Sequence, residues 1–482
     1  MTPIIAVVIV YLGMLAAFAI WSRRETHTLA GYYLAGKKLP YWVVAFSTNA
    51  TGESGWLLLG LTGMGYAVGA QAYWVVVGEV IGIALAWTLV SRRLKRLCDD
   101  TDSITVPDIL AARFKDRWHL IRGIAVVIIL TMVTAYVAAQ MIATGKAVSS
   151  FTDMNFETGV YVGAAIIIGY TFVGGYKAVS YTDVLQGVLM LLGLIFVPAA
   201  AIYAAGGWSS VVSSLTATNP AFLDMFSFSG AGGIGWVGII SFIAIGLPFL
   251  GVPQLLVRFM SARNDAELKK ARVVSVVVLL LFGLGAVTTG IAGRALYPGL
   301  EDPETIFPVI SMQLFPPLLT GVLLVIVLSA IMSTVDSLLL LASSAVVRDT
   351  MQQILGSKLS DNRLAVYGKV ATVLIGILGI VLAFNTEQLI FWFVLFAWSG
   401  LGAAFGPVII CLLYYKKTTG AGVAAGMLAG FLTSVVWVLA VKEQAYDLYE
   451  AVPGFIVGFA VTLLVSKVTK DTADFRSSYP KQ

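Results

Sequence analysis

The chain has 482 residues, 59% hydrophobic and only 12% charged, with a formal net charge of +5 and a mean hydropathy of +0.90. A soluble domain carries roughly 25% charged residues, so these side chains cannot cover a water-facing surface, and a polytopic membrane protein is predicted. Two cysteines (Cys98, Cys411) and two histidines (His27, His119) exclude a disulfide scaffold and leave almost no material for a His/Cys metal site or a Ser-His-Asp triad; the thinly spread positive charge excludes nucleic-acid binding as the main role.

A spanning helix needs about 20 mostly apolar residues. Such stretches occur near 3–21, 41–64, 70–91, 121–145, 157–175, 183–205, 233–257, 272–294, 307–346, 365–384, 388–414, 419–441 and 450–466, which predicts about thirteen spans. The ninth is too long for one straight span, so part of it is expected to lie on the surface before the span proper. The first lacks a small-residue cleavage site and runs into Ser22-Arg23-Arg24, so it reads as a retained helix rather than a signal peptide. Barrel strands would alternate and be about ten residues long; these stretches do neither.

With loops assigned alternately and the amino terminus outside, one face receives all but Lys146, Arg294 and Lys442 of the 31 Lys and Arg. Basic residues collect on the cytoplasmic side. The expected topology is therefore amino terminus outside and carboxyl terminus in the cytoplasm of a multi-pass protein of the cytoplasmic membrane. No P-loop and no Gly-x-Gly-x-x-Gly between a strand and a helix is present, so ATP-driven pumping within this chain is not expected.

Two spans are interrupted. Asn49-Ala50-Thr51-Gly52-Glu53-Ser54-Gly55 breaks the second near its middle, and Gly246, Pro248, Gly251 and Pro253 break the seventh. Backbone that leaves the helix at that depth must be buried or line a cavity. With the first helix set aside, the breaks fall in helices one and six of the remainder, the spacing that two inverted five-helix repeats produce. Freed carbonyls and half-helix ends at such breaks hold cations and anionic substrate groups. Simple Pro/Gly kinks in a channel or scaffold are the alternative.

In the ninth span Ala330, Ser333, Thr334 and Ser337 share one helix face, with Asp336 beside them. Hydroxyls and carbonyls together make an all-oxygen site suited to Na⁺, unless the hydroxyls only bond back to their own helix. Acids inside spans are costly and raise the expectation of function. Glu53 and Asp336 are the stronger candidates. Glu79 is as readily a structural partner, and Asp183, following Thr182 at the start of the sixth span, is either a helix cap or part of an ion path.

Segments in a fixed order complete the pattern: Gly31 to Lys38, Ser54 to Leu61, Tyr170 to Tyr176, Ser180 to Gly187, Pro253 to Met260, Ala330 to Ser337 and Ala397 to Pro407. On these the chain resembles the sodium:solute symporter family, and within it the sodium/proline branch. The resemblance implies an all-α membrane protein with a LeuT-type fold. A single transporter domain over 1–482 would comprise an extra helix at 1–21, repeats at 41–205 and 233–414, two further helices at 419–466 and a cytoplasmic tail at 467–482. It implies sodium held by carbonyls of Ala50, Glu53 and Ala330 and hydroxyls of Ser333 and Thr334. A second ion site or ion path would use Asp183, Asp336 and Ser337, and substrate would meet Thr51, Ser54, Trp56, Tyr136, Phe249 and Pro253.

Three departures stand out. Gly52 replaces an acid, with the carboxylate one residue later at Glu53. Ile245 and Phe249 replace a Trp and a Tyr. Pro248 replaces a Gly. The expected activity is sodium-coupled import of a small organic solute, L-proline or another small amino acid first and a monocarboxylate second. A sensor or channel on the same fold is the weaker alternative, because the tail ends soon after the last span. Na⁺ is the expected coupling ion and lipid the surroundings; nothing in the sequence points to an enzyme, nucleic acid or an obligate protein partner.

Overall fold

The computed structural model describes residues 2–22, 28–227, 234–385 and 389–470, without the side chains of Thr2 and of 170–174. The predicted basic pair Arg23-Arg24, the start of the second repeat at 233, most of the Tyr170–Tyr176 segment's side chains and the tail from 471 fall outside that description.

The main helices are α1 (Thr2–Ser22), α2 (Tyr41–Gly55), α3 (Tyr73–Leu85), α4 (Leu120–Phe151), α5 (Phe156–Ala204), α6 (Gly235–Ala244), α7 (Pro253–Ser261), α8 (Asp265–Leu296), α9 (Pro317–Ser344), α10 (Asp361–Ala383), α11 (Ile390–Tyr414), α12 (Gly420–Val436) and α13 (Ala451–Val468). Among the described residues there is no strand, only one parallel bridge between Leu39 and Ala262. Among the described residues ten helices are long and apolar enough to cross a membrane. The bent pair Gly235–Leu250 and Pro253–Ser261, 45° apart, makes an eleventh. The count is below the thirteen expected because Tyr41–Asp100 is one continuous helical path of 60 residues where two spans were read, and because Phe156–Gly169 is short. The long ninth stretch divides as its length required, into Ile306–Leu314 and α9.

Burial sorts the helices into a centre and a rim. In the path through α9 the apolar window is 83% buried and in α11 89%, against 22% for α1 and 33% for α13. A helix hydrophobic all round belongs inside a bundle or in lipid; here α9 and α11 form the inside. α1 still packs on α5 and α9, where the buried Tyr11 hydroxyl accepts from Gln186 Nε2 at 2.9 Å and Ser329 Oγ at 3.0 Å.

The helices break where expected. Ser54 has φ 51° and ψ −171° inside the run Tyr41–Gly55, a backbone region that costs a non-glycine residue energy. Between α6 and α7 the chain makes a short turn over Leu247–Leu250. Only glycine fits there: a Cβ on Gly246 would lie 1.9 Å from the Gly78 carbonyl oxygen, and one on Gly82 2.1 Å from that of Gly246. A third break, at Gly175 (φ 63°), kinks α5.

Candidate functional site

The break in α2 lies against the polar stripe of α9. Ser333 Oγ donates to the Ala50 carbonyl at 2.8 Å and lies 3.0 Å from the Ala330 carbonyl. Thr334 Oγ1 donates to the Thr51 carbonyl at 2.9 Å, with the Ala330 carbonyl 3.4 Å away. All of these residues are buried. The stripe hydroxyls therefore reach across to α2 as well as back to their own helix, and they gather carbonyl and hydroxyl oxygens of two helices in one place. Four of the five residues assigned to sodium meet here. The fifth, Glu53, has its carbonyl engaged by the Trp56 N–H.

A second cluster adjoins the first. Asp183 is fully buried, and its Oδ2 accepts from Ser47 Oγ at 2.6 Å and lies 3.4 Å from Thr51 Oγ1. Because α5 restarts at the Gly175 kink and runs on through Asp183, this residue is not a helix cap. Its charged partner is Arg258 of α7, 3.3 Å away and equally buried. Arg258 also donates to Ser47 Oγ at 3.2 Å, Thr51 Oγ1 at 2.7 Å, the Gln254 carbonyl at 2.8 Å and Ser337 Oγ, and its guanidinium lies 5.3 Å from the Tyr176 ring. Thr51, assigned to substrate, thus turns its hydroxyl into this charged cluster. Asp336 is buried next to Ser337, and both it and Asp183 lie near the Tyr11 hydroxyl.

The remaining substrate candidates surround the break. Ser54 Oγ accepts from the Trp56 N–H at 3.1 Å and lies 3.4 Å from Gln140 Nε2, while Gln140 Oε1 accepts the Gly55 N–H at 3.0 Å. Tyr136, one helical turn before Gln140, faces Ser54. The Trp56 ring stacks on Phe391, with centroids 5.4 Å apart. Phe249 sits edge-on to Trp398 at 5.1 Å, and its ring fills the space beside Gly52, 3.6 Å from where a Cβ would be. Trp398 Nε1 donates to the Ile245 carbonyl at 3.1 Å. Pro253 opens α7 directly after the bend. The Glu53 carboxylate is buried with no hydrogen bond to either oxygen, and Glu79 lies close enough to interact with it.

Opposite ends of α4 carry two further networks. At one, Arg122 pairs with Asp108 at 2.7 Å and with Asp349, Arg348 pairs with Asp108 at 2.9 Å, and Thr105 donates to Asp349 at 3.0 Å. A polar cavity of about 280 Å³ opens beside them, lined by Asp102, Asp116 and His119 among others. Burial alone would raise the Asp108 carboxyl, but Arg348 and Arg122 outweigh it and hold it below the usual carboxylate range. At the other end Lys146 pairs with Glu304 at 2.6 Å and Asp302 at 2.9 Å, and Glu304 caps α11 by accepting the N–H groups of Ile390 (3.1 Å) and Phe391 (2.8 Å).

Arg258, Gln140 and Trp398 were not singled out from the sequence. Gln140 had a signal in its spacing four residues after Tyr136, and Trp398 lies inside a segment that carried the family resemblance. Arg258 also lies inside such a segment, Pro253 to Met260, but by itself reads in sequence as one more basic residue at the inner face.

The sodium:solute symporter family profile matches residues 32–430. The chain belongs to the sodium:solute symporter family. It is 36% identical over 479 residues to a sodium/proline symporter of Staphylococcus aureus, covering 97% of this chain and 93% of the relative. It is also 36% identical to the high-affinity proline transporter PutP of Bacillus subtilis, covering 93% and 94%. In fold it is similar to a Na⁺-coupled sialic acid symporter solved substrate-bound and outward-open (TM-score 0.79, 18% identity, 97% and 98% covered). It is less close to a nucleobase-cation-symport-1 family transporter in a closed conformation (TM-score 0.56, 12% identity, 92% and 97% covered).

Proposed function

We propose that the chain is a sodium-coupled symporter that imports L-proline or a closely related small amino acid. The observation that carries this reading is the meeting of Ser333 and Thr334 with the Ala50 and Thr51 carbonyls. An ion at that point ties α9 to the broken helix whose next residues, Gly52 to Trp56, border the substrate candidates. Sodium thereby favours the arrangement in which the solute site is formed, and by reciprocity the solute tightens sodium. Each charge moved inward gains about 2.3 kcal/mol per 100 mV. The names of the relatives, proline transporters at 36% identity over almost the whole chain, support the choice of solute.

In this reading the carbonyls of Ala50, Glu53 and Ala330 and the hydroxyls of Ser333 and Thr334 take the sodium. Ser54, Trp56, Tyr136, Phe249 and Pro253, with Thr51 beside them, border the solute, and the Glu53 carboxylate faces its amino or imino nitrogen. The chain crosses the membrane thirteen times, as a LeuT-type pair of inverted repeats with amino terminus outside. The 60-residue path Tyr41–Asp100 would stretch about 90 Å as one straight helix, three hydrocarbon thicknesses, and Gly69 (φ 63°) gives it a turning point. Lys146 with Glu304 then marks the outer face and Arg122 with Asp108 the inner.

The test is uptake of labelled L-proline into liposomes holding the purified chain. Uptake above the equilibrium level is expected with an inward Na⁺ gradient and not with K⁺ in its place. Equal uptake under both conditions rejects sodium coupling. Sodium-driven uptake of a short monocarboxylate in preference to proline rejects the amino-acid assignment.

A further inference from the structure

The three oxygens best placed for a second cation already surround a nitrogen. Asp183 Oδ2, Thr51 Oγ1 and Ser337 Oγ all lie within hydrogen-bond distance of Arg258 Nη2. A sodium ion taking these three as ligands would have to sit where that nitrogen sits. Guanidinium and ion therefore exclude one another, by volume and by like charge.

The same spot adjoins the first oxygen cluster on one side. Ser337 Oγ donates to the Ser333 carbonyl at 2.9 Å and Thr51 Oγ1 lies 3.4 Å from it, one residue's backbone away from the Ser333 hydroxyl. On the other side is a small cavity of about 20 Å³, bordered by Tyr33, Thr105, Tyr176, Gln254 and Ser344 as well as Arg258 and Ser337, room for about one water molecule. Gln254 is buried there with neither side-chain amide atom hydrogen-bonded, and Asp183 Oδ1 is likewise unbonded. Unsatisfied buried polar atoms are costly, and these two flank the guanidinium.

We propose that Arg258 is a tethered cation that closes the ion path leading away from the first cluster. While its guanidinium holds Asp183, Thr51 and Ser337, sodium in the first cluster has no next set of ligands. A departing ion first meets the free Asp183 Oδ1. It then takes over the shared oxygens as the guanidinium swings to the Gln254 side-chain carbonyl and the face of Tyr176. Arg258 is a positioning residue for coupling, and it keeps sodium from passing without solute. This rests on the sodium-symport reading above.

The experiment measures ²²Na⁺ flux into liposomes carrying the full chain, with and without L-proline. In the wild type, sodium flux is expected to require the solute. Arg258→Gln is expected to raise solute-free sodium flux at least tenfold, Arg258→Lys to restore most of the tightness, and Asp183→Asn combined with Arg258→Gln to lower the flux again by removing the attracting carboxylate. Ser337→Ala, which removes one holder without leaving a charge unpaired, is expected to leak in the same direction by less and serves if Arg258→Gln does not fold. A folded Arg258→Gln protein, or failing that a Ser337→Ala protein, as tight to sodium as the wild type overturns the proposal; so does Arg258→Lys leaking as much as Arg258→Gln. Solute uptake that ignores sodium in the wild type overturns the symport reading itself, whereas sodium-driven uptake with a tight Arg258→Gln overturns only the role of Arg258.

Discussion

Thr334 donates to the carbonyl of Thr51, and Ser333 to that of Ala50, so that two successive residues of α9 meet two successive residues of α2 at the same separation of 283 positions. The pairing holds one register between a continuous helix and a broken one. Thr334→Ala removes a neutral oxygen from this seam without burying a charge. Sodium half-saturation for uptake is expected to rise about ten- to hundredfold, on the order of 1–3 kcal/mol, with maximal uptake at saturating sodium retained. An unchanged half-saturation takes Thr334 out of the ion site.

Asp108 should make stability depend on acid. Its carboxyl is held below the usual range by Arg348 and Arg122 against the opposing effect of burial. An ordinary Asp titrates near 3.9. A group lowered on folding stabilises the protein above its unfolded value, and that contribution is lost as pH falls through the folded value. Asp108→Asn leaves the two arginines short of a partner and should cost about 3–5 kcal/mol near neutral pH. In thermal unfolding followed from pH 7 downward, the gap between wild type and variant should stay constant and then close below about pH 4. A gap that persists into strong acid assigns the loss to shape rather than charge.

Glu304 does two jobs that substitution can separate. Ile390 and Phe391 donate to different oxygens of the carboxylate, so Glu304→Gln keeps an acceptor for one of the two N–H groups and gives up the other and the ion pair with Lys146. Glu304→Ala gives up both and leaves buried donors unsatisfied, at about 1–3 kcal/mol. Melting temperatures should fall in the order wild type, Gln, Ala. If the Gln variant is as unstable as the Ala variant, the one N–H bond that Gln retains adds nothing to the hold on the start of α11.

Glu53→Gln should weaken the solute more than the ion. The substitution keeps size and hydrogen-bonding groups and leaves the backbone carbonyl in place. If the carboxylate faces the amino or imino nitrogen of the solute, proline half-saturation should rise at least about tenfold, roughly 1.4 kcal/mol, with a smaller change for sodium. Should uptake instead lose its pH dependence while proline affinity holds, Glu53 carries a proton. Wild-type behaviour at every pH makes the carboxylate structural.

The sequence made parts of this site readable and left others hidden for a physical reason. Ser333, Thr334 and Ser337 stood out because helical spacing puts them on one face, and the Gly/Pro breaks stood out because such residues interrupt a hydrogen-bond ladder wherever they occur. Both are local signals. Arg258 gave none of its own beyond its place in the Pro253–Met260 segment: what distinguishes it from a loop arginine is its partners Ser47, Thr51, Asp183 and Ser337, which come from three other helices 75 to 211 residues away. Asp183 could be read as a cap because the kink that restarts its helix sits eight residues earlier, at Gly175. Fewer long apolar helices are described than the thirteen spans read because Tyr41–Asp100 turns at Val68 and Gly69 within one helical path.

Where Gly78 and Gly82 press on Gly246, α3 and the bent segment are separated by less than the thickness of a methyl group. A side chain at any of the three would push the two segments apart, so their close packing depends on glycine at these positions. Elsewhere the helical backbone departs from helical angles at Ser54 and at Gly175. These two positions flank the Ser333–Thr334 oxygen cluster and the Asp183–Arg258 pair, so the breaks in the helical backbone lie beside the buried polar clusters rather than at the rim.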